Sequence, residues 1–138
     1  MVATAPESLQ EGQEIPSVQR RPDAMDLFLF SAAIWLPHRI HYDQDYTRNV
    51  ESHPDILVHG PLQGVYLMQL LTDHFGPAAV PTRFEFRHEA PVYLGGSLTC
   101  RGRVVAVDRD QGAVRCEVWA EMEDGRRSTV GVVELALS

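Results

Sequence analysis

The chain contains no lysine: all twelve of its basic residues are arginine, against nineteen acidic residues and a net charge of −7. Without lysine a protein has neither a Schiff-base nucleophile nor the lysine of a phosphate-binding P-loop. A duplex-binding surface needs clustered positive charge, so the acidic balance argues against nucleic acid as a partner. Arginine can still bind a phosphate or a carboxylate through its planar guanidinium.

Long apolar runs and cysteines are also scarce. No apolar run approaches the roughly 18 residues that a membrane-spanning helix requires. The N-terminus shows neither the basic nor the apolar part of a secretory signal. The two cysteines, Cys100 and Cys116, fit neither a disulfide framework nor a metal-binding spacing. We therefore expect a reduced, cytoplasmic protein with no membrane contact, whose thiols pack as small apolar groups.

A length of 138 residues is typical of one domain. Residues 1–12 predict a flexible leader, and residues 13–138 predict the domain itself. Asp23 is placed to cap a first helix that ends near Pro37.

A second helix is predicted from residue 60 to residue 75, with Pro61 in its first turn and Gly76 directly after its end. Apolar residues cover most of its circumference, so other elements must enclose it.

The rest of the chain alternates between apolar and polar residues, which indicates strands. We predict four strands, at about 82–90, 97–108, 112–123 and 126–137, and a weaker one at 15–19. The predicted core-facing residues are Leu98, Cys100, Gly102, Val104 and Ala106 on one strand and Val114, Cys116, Val118, Ala120 and Met122 on the next. An antiparallel sheet curled around one long buried helix is the α+β arrangement of the hot-dog fold, and the order of the elements alone also fits other α+β folds.

Two segments concentrate polar groups, HRIHYD at residues 38–43 and HGPL at residues 59–62. The second lies at the predicted start of the buried helix. There the first backbone N–H groups lack intrahelical partners, and the helix dipole places a partial positive charge. Such amides can hold an oxyanion that develops on a carbonyl, and Gly60 would let a substrate approach the backbone.

These two segments, together with FRHEAPVY at residues 86–93, resemble the MaoC-like hydratase/dehydratase family of hot-dog proteins. The branch that the chain is most similar to contains the type-2 3-hydroxyacyl-thioester dehydratases and the mesaconyl-CoA and itaconyl-CoA hydratases. The resemblance covers about residues 13–138. It implies reversible hydration of a trans-2-enoyl thioester to a 3-hydroxyacyl thioester. The substrate would be carried on CoA or an acyl carrier, with no metal or other cofactor.

By the resemblance, His41 corresponds to the catalytic histidine, which would activate water in hydration and remove the C2 proton in dehydration. A backbone N–H at Gly60 or nearby would hold the enolate oxygen. Substrate contacts are expected from four further residues, namely His38, Arg39, His59 and Leu62. For Arg39 the contact would be with CoA phosphates or a substrate carboxylate.

The chain departs from the better-known (R)-specific hydratases of the family, which carry an aspartate five residues before the histidine. Here that position is Leu36, or Ile34 if two residues are inserted, and neither side chain can transfer a proton. Asp43, Asp26 or Glu51, or a bound water, would have to take its place.

Two other functions stay open. The same fold could hydrolyse a thioester, with Asp55 or Gln63 near the helix start as the reacting group. The chain could instead be a non-catalytic subunit that completes a partner hydratase, which Leu36 favours. In every case we expect association, as a homodimer or with another hot-dog chain, because one such sheet leaves an edge and the acyl site open.

Overall fold

The computed structural model describes residues 8–137, which form an antiparallel sheet around one long helix. The strands are β1 (Glu14–Arg20), β2 (Ala79–His88), β3 (Leu98–Asp108), β4 (Ala113–Met122) and β5 (Arg127–Leu137). The helices are α1 (Ala24–Ala33), α2 (Gln44–Asn49) and α3 (Gly60–Phe75). The sheet order is β1-β3-β4-β5-β2, so β1 and β2 are its edges. These elements confirm the predicted strands, including the weaker first one, and the predicted helix α3.

Helix α3 contacts all five strands of the sheet. Its side chains Leu67, Leu71 and Phe75 are at most 1 % exposed, because the concave face of the sheet covers them. The apolar circumference of α3 is thus enclosed as predicted, and the architecture is an α+β hot-dog fold. The N-terminal end of α3 lies beside the polar loop that contains residues 38–43, and both line one cleft.

The predicted core-facing residues of β4 are confirmed, with Val114 through Ala120 almost fully buried at alternate positions and Met122 packed against the core. On β3 the prediction fails at Ala106, which is exposed. The pairing register between β3 and β4 shifts after Val104, and an extra residue at a β-bulge reverses the alternation of side chains. Val107 packs against the core instead.

The leader prediction needs a correction in its second half. Residues 1–7 lie outside the described residues, but Leu9 is fully buried. Arg109 donates a hydrogen bond to the Leu9 carbonyl (2.9 Å), and the Gly12 N–H donates to the Val104 carbonyl (2.8 Å). Residues 8–12 therefore pack onto the domain, because Leu9 contributes to the core that residues 13–137 form.

Helix α1 begins with a reciprocal cap, in which Asp23 accepts from the Asp26 N–H and Asp26 accepts from the Asp23 N–H, each at 2.9 Å. It ends with the hydrogen-bond pattern of a Schellman motif, Leu36 N–H to the Ser31 carbonyl and Trp35 N–H to the Ala32 carbonyl. The predicted cap and the end before Pro37 are both confirmed. Trp35 occupies the left-handed position of this motif, with φ of 55°, where glycine is usual.

Both cysteines are free and buried, as the sequence predicts. Burial raises the pKa of Cys100 to about 11 and that of Cys116 to about 12, so neither thiol is reactive near neutral pH. Within residues 8–137, no helix has the length and apolar character to cross a lipid bilayer.

Candidate active site

The polar loop between α1 and α2 presents His41 next to the start of α3. A 3-10 turn, Arg39–His41, places the His41 side chain where it is 8 % exposed. Its Nδ1 lies 2.8 Å from the Leu57 carbonyl oxygen. Because a carbonyl only accepts, Nδ1 carries the ring proton and Nε2 of the neutral ring is a free base. Burial is the main cause that lowers the pKa of His41, so the ring is neutral at pH 7.

His59 lies directly behind His41. The two rings are stacked, with centroids 3.8 Å apart, and Nε2 of His59 lies 2.8 Å from the Ser31 hydroxyl. Burial and the neighbouring His41 lower the pKa of His59 to about 4. The prediction that His59 contacts substrate is corrected, because its side chain is fully buried between His41 and Phe30.

The first turn of α3 offers backbone donors without side-chain competition. No side chain caps this helix, and Pro61 has no N–H. The N–H groups of Gly60 and Leu62 are therefore the first donors that the helix presents. The side chain of Leu62 is 7 % exposed and belongs to the core, so the predicted contact of Leu62 with substrate would have to use its backbone N–H.

Gly60 makes a close contact that explains why it carries no side chain. A Cβ at this position would lie 2.2 Å from Nε2 of His88, which stands at the end of β2. The imidazole of His88 thus lies directly against Gly60 at the start of α3.

His88 is held by a short chain of hydrogen bonds. Its Nδ1 lies 2.8 Å from the Thr129 hydroxyl on β5, which donates to the Gln63 amide oxygen at 2.8 Å. Ser128 donates to the same oxygen at 2.7 Å. Thr129, Gln63 and Ser128 are all buried, so the chain links α3 to β5 beneath the imidazole.

These groups meet at an open cleft of about 360 Å³. It is lined by His41, Leu57, Val58, Gly60, Gln63, His88, Glu89, Ala90 and Pro91. The cleft therefore combines the two catalytic residues predicted from sequence, His41 and Gly60, with two titratable residues that were not predicted, His88 and Glu89. Glu89 accepts a hydrogen bond from Arg87 at 2.7 Å.

His38 and Arg39 lie on the exposed side of the loop. The His38 ring is edge-on to that of His41, with centroids 6.1 Å apart, and its Nε2 lies 3.8 Å from Glu51. Arg39 forms an ion pair of 2.7 Å with Asp43 and lies over the Tyr46 ring. Neither residue lines the cleft, and their contacts with substrate stay predictions.

The three carboxylates considered in place of the missing aspartate all have other partners. Asp26 belongs to the α1 cap, and Asp43 accepts from the Tyr46 N–H and from Arg39. Glu51 accepts from the Tyr46 hydroxyl at 2.9 Å. None of them lines the cleft. Leu36, at the aspartate position, lines a separate apolar groove of about 190 Å³ beside α1.

The histidines, cysteines and carboxylates of residues 8–137 do not gather into a group of three or more that could hold a metal ion. The chemistry that the described cleft offers is that of two imidazoles, one carboxylate and the backbone donors of a helix start.

A family model for hydroxyacyl-thioester dehydratase type 2 matches residues 3–94. Over 72 residues the chain is 44% identical to mesaconyl-C(4)-CoA hydratase of Chloroflexus aurantiacus. That match covers 52% of this chain and 25% of the relative, so the chain spans about a quarter of the relative's length.

Solved structures of related fold match the chain over nearly its whole length. The (R)-hydratase of A. caviae, involved in PHA biosynthesis, has a TM-score of 0.90 at 20% identity, covering 96% of this chain and 99% of that one. The ChsH1–ChsH2 complex of Mycobacterium tuberculosis has a TM-score of 0.85 at 22% identity, covering 94% of this chain and 98% of that one. These likenesses concern the fold. Together with the family model, which matches two thirds of the sequence, they lead to one conclusion: the chain belongs to the type-2 hydroxyacyl-thioester dehydratase family of MaoC-like hot-dog proteins.

Proposed function

We propose that the chain catalyses the reversible hydration of an enoyl thioester to a 3-hydroxyacyl thioester in the cleft beside the start of α3. The observation that carries this proposal is the hydrogen bond from Nδ1 of His41 to the Leu57 carbonyl, which leaves Nε2 as a base. The hydratase and dehydratase names among its relatives support the same class of reaction. The thioester would be carried on CoA or on an acyl carrier.

In hydration, Nε2 of neutral His41 takes a proton from water while the water oxygen bonds to C3 of the substrate. The electrons of the C2–C3 double bond move toward the thioester carbonyl, whose oxygen becomes negative. The N–H groups of Gly60 and Leu62 stabilise that charge at the positive end of the helix dipole. C2 then takes up a proton, which completes the addition of one water. Dehydration follows the same steps in reverse.

The lowered pKa of His41 suits this role. A neutral imidazole is needed before it can accept a proton from water, and burial of the ring keeps it neutral at pH 7. The fully buried His59 ring is stacked on the His41 ring, and this contact helps to position the His41 imidazole.

We also infer that the working unit contains a second hot-dog chain, either a copy of this chain or a different one. One of its structural neighbours is the ChsH1–ChsH2 complex of two chains. On α1 and directly after it, Met25, Phe28, Leu29 and Trp35 are between 56 and 88 % exposed. Such an apolar patch is unusual on an isolated domain and is typical of an association surface.

A non-catalytic role in such a pair is the second candidate function. The observation that favours it is Leu36, which stands where other family members carry a proton-transferring residue and lines an apolar groove rather than the cleft. In that case a partner chain would supply the reacting groups.

The test is to incubate the purified chain with crotonyl-CoA and to follow the loss of enoyl-thioester absorbance. We expect hydration by the wild-type chain and a decrease of roughly 10²–10⁴-fold for His41→Ala. The matched control is His53→Ala, because His53 contacts Tyr93 outside the cleft. It should retain wild-type activity.

Other outcomes separate the alternatives. Release of free thiol without hydration would identify a thioesterase. Inactivity of the chain alone, followed by hydration after a hot-dog partner is added and unaffected by His41→Ala, would identify the non-catalytic subunit. Undiminished hydration by the His41→Ala chain alone would disprove His41 as the base.

A further inference from the structure

His88 stands at the end of β2, over the first turn of α3, and the proposed reaction so far gives it no role. It lines the same cleft as His41, but it comes from strand β2 and His41 from the loop between α1 and α2. We propose that His88 is a second catalytic residue, which exchanges the proton at C2 of the substrate while His41 exchanges the proton of water. This inference rests on the hydration proposed above and names the group that takes the place of the missing aspartate.

The hydrogen bonds of His88 determine which ring nitrogen is free. The Thr129 hydroxyl has one proton, and it donates this proton to the Gln63 amide oxygen. Toward His88 the same hydroxyl therefore accepts, so Nδ1 of His88 carries a proton. Nε2 is left to bind or release the second proton. His41 is held in the same way by the Leu57 carbonyl, and both imidazoles use Nε2 for chemistry.

The position of Nε2 suits proton exchange at C2. A Cβ on Gly60 would lie 2.2 Å from this nitrogen, so it sits immediately above the helix start. The thioester oxygen is expected at the backbone donors of that turn, and C2 is two bonds from this oxygen. A group directly over Gly60 is therefore beside C2 when the carbonyl is bound.

Few other groups near His88 could exchange the proton at C2. On α3 it faces Gly60 and the neutral Gln63, on β5 the neutral Thr129, and on its own strand the Phe86 ring at 5.3 Å. The other titratable residues among those lining the described cleft are His41 and Glu89. Of these, Glu89 forms an ion pair with Arg87 at 2.7 Å.

The protons balance with these two imidazoles. In hydration, neutral His41 takes a proton from water as the C3–O bond forms, and protonated His88 gives its Nε2 proton to C2 of the enolate. His41 ends protonated and His88 neutral, and exchange with solvent resets the pair. In dehydration, neutral His88 removes the C2 proton and protonated His41 gives its proton to the departing hydroxide. In the active form of the site, one of the two Nε2 atoms is therefore protonated and the other is free.

The test compares His88→Gln with the wild type in the hydration of crotonyl-CoA across pH. We expect kcat to fall roughly 10²–10³-fold, with KM changed less than about threefold. In the wild type, kcat/KM should decline tenfold per pH unit on the alkaline side, because hydration needs protonated His88. Burial lowers the pKa of His88 from 6.5, so this decline should begin below pH 6.5. It should be absent in His88→Gln.

His53→Gln makes the same substitution outside the cleft and should keep both the rate and the alkaline decline. Glu89→Gln tests the remaining carboxylate of the cleft and should keep the decline as well. A wild type that hydrates, with His88→Gln equally fast, would overturn the role of His88 while leaving the proposed function intact. Loss of activity in Glu89→Gln, but not in His88→Gln, would have the same consequence.

A second measurement does not depend on turnover. In ¹⁵N NMR spectra of the imidazoles at neutral pH, His88 should be protonated at Nδ1, and Thr129→Val should remove this preference. Protonation at Nε2 in the wild type would overturn the inference. A wild-type chain that hydrates no enoyl thioester, alone or with a partner, would overturn the proposed function and the role of His88 together.

Discussion

The imidazole rings of His41 and His59 are stacked at a centroid distance of 3.8 Å, with their planes 16° apart. Two imidazolium rings at this distance would repel each other, so at most one of the two rings is in the charged imidazolium form. His59 is fully buried and its pKa is about 4, whereas His41 keeps a path to the cleft. The proton that the stack accepts near neutral pH therefore belongs to His41, and His59 supports it as an uncharged ring.

The Ser31 hydroxyl is the hydrogen-bond partner of His59 Nε2, at 2.8 Å. The other ring nitrogen, Nδ1, is buried and has no partner among the described residues. Ser31→Ala would leave the whole ring without a hydrogen bond, and we expect the free energy of unfolding to fall by about 1–3 kcal/mol. Urea denaturation would measure this. The exposed Ser17→Ala is the control, and an equal, small change in both variants would contradict the prediction.

Burial of neutral His59 makes the stability depend on pH. Its pKa is about 4 when folded and near 6.5 when unfolded, so between these values the unfolded chain binds more protons. Stability is therefore greatest above pH 6.5 and decreases as the pH falls toward 4. From pH 7 to pH 4.5, His59 should account for a loss of about 2 kcal/mol. Urea midpoints of the wild type and of His59→Phe at the two pH values would measure it, and parallel losses would contradict it.

The regular elements were predictable from sequence because each has a local signal. Asp23, the proline in the first turn of α3 and the strict alternation on β4 all correspond to the observed elements. The exception at Ala106 comes from a β-bulge. A one-residue insertion leaves no mark in the composition of the strand, so only the pairing with β4 reveals it.

In the cleft, sequence identified His41 and Gly60 but not His88. An edge strand such as β2 is exposed on both faces for most of its length, so its side chains show no alternation that would assign a face to His88. Thr129 on β5, the hydrogen-bond partner of His88, is 41 residues away along the chain, and Gly60 on α3, which its ring contacts, is 28 residues away. Sequence also placed the His59 side chain against the substrate, because a motif shows proximity in the chain but not which side chains are buried.

Gly60→Ala tests the contact between the helix start and His88. The new Cβ would meet the His88 ring at 2.2 Å, and the ring would have to leave its hydrogen bond to Thr129. Because an exposed-edge side chain can move, we expect the stability to change by less than about 1 kcal/mol, but hydration to slow at least tenfold. Steady-state kinetics and urea denaturation would measure the two effects.

Gly64→Ala, one turn later in the same helix, is the control. Its nearest contacts would be the Phe84 and Phe86 rings at 3.5 Å, which is ordinary van der Waals distance. Alanine should therefore fit and favour the helix by up to about 1 kcal/mol, with normal activity. If both variants hydrated at the wild-type rate, the contact between Gly60 and His88 would have no part in the reaction.

Trp35 combines backbone strain with exposure. It occupies the left-handed position after α1 with φ of 55°, and its side chain is 88 % exposed. A non-glycine residue in this conformation costs roughly 1–2 kcal/mol, and an exposed ring recovers little of it within one chain. We expect Trp35→Gly to raise the free energy of unfolding by about 1 kcal/mol, and Trp35→Ala, which keeps the strain, to give no such gain.

If the Trp35 ring binds a second hot-dog chain, both variants should weaken association equally in sedimentation experiments. Equal stability of the glycine and alanine variants would contradict the strain, and unchanged association in both would remove Trp35 from the interface.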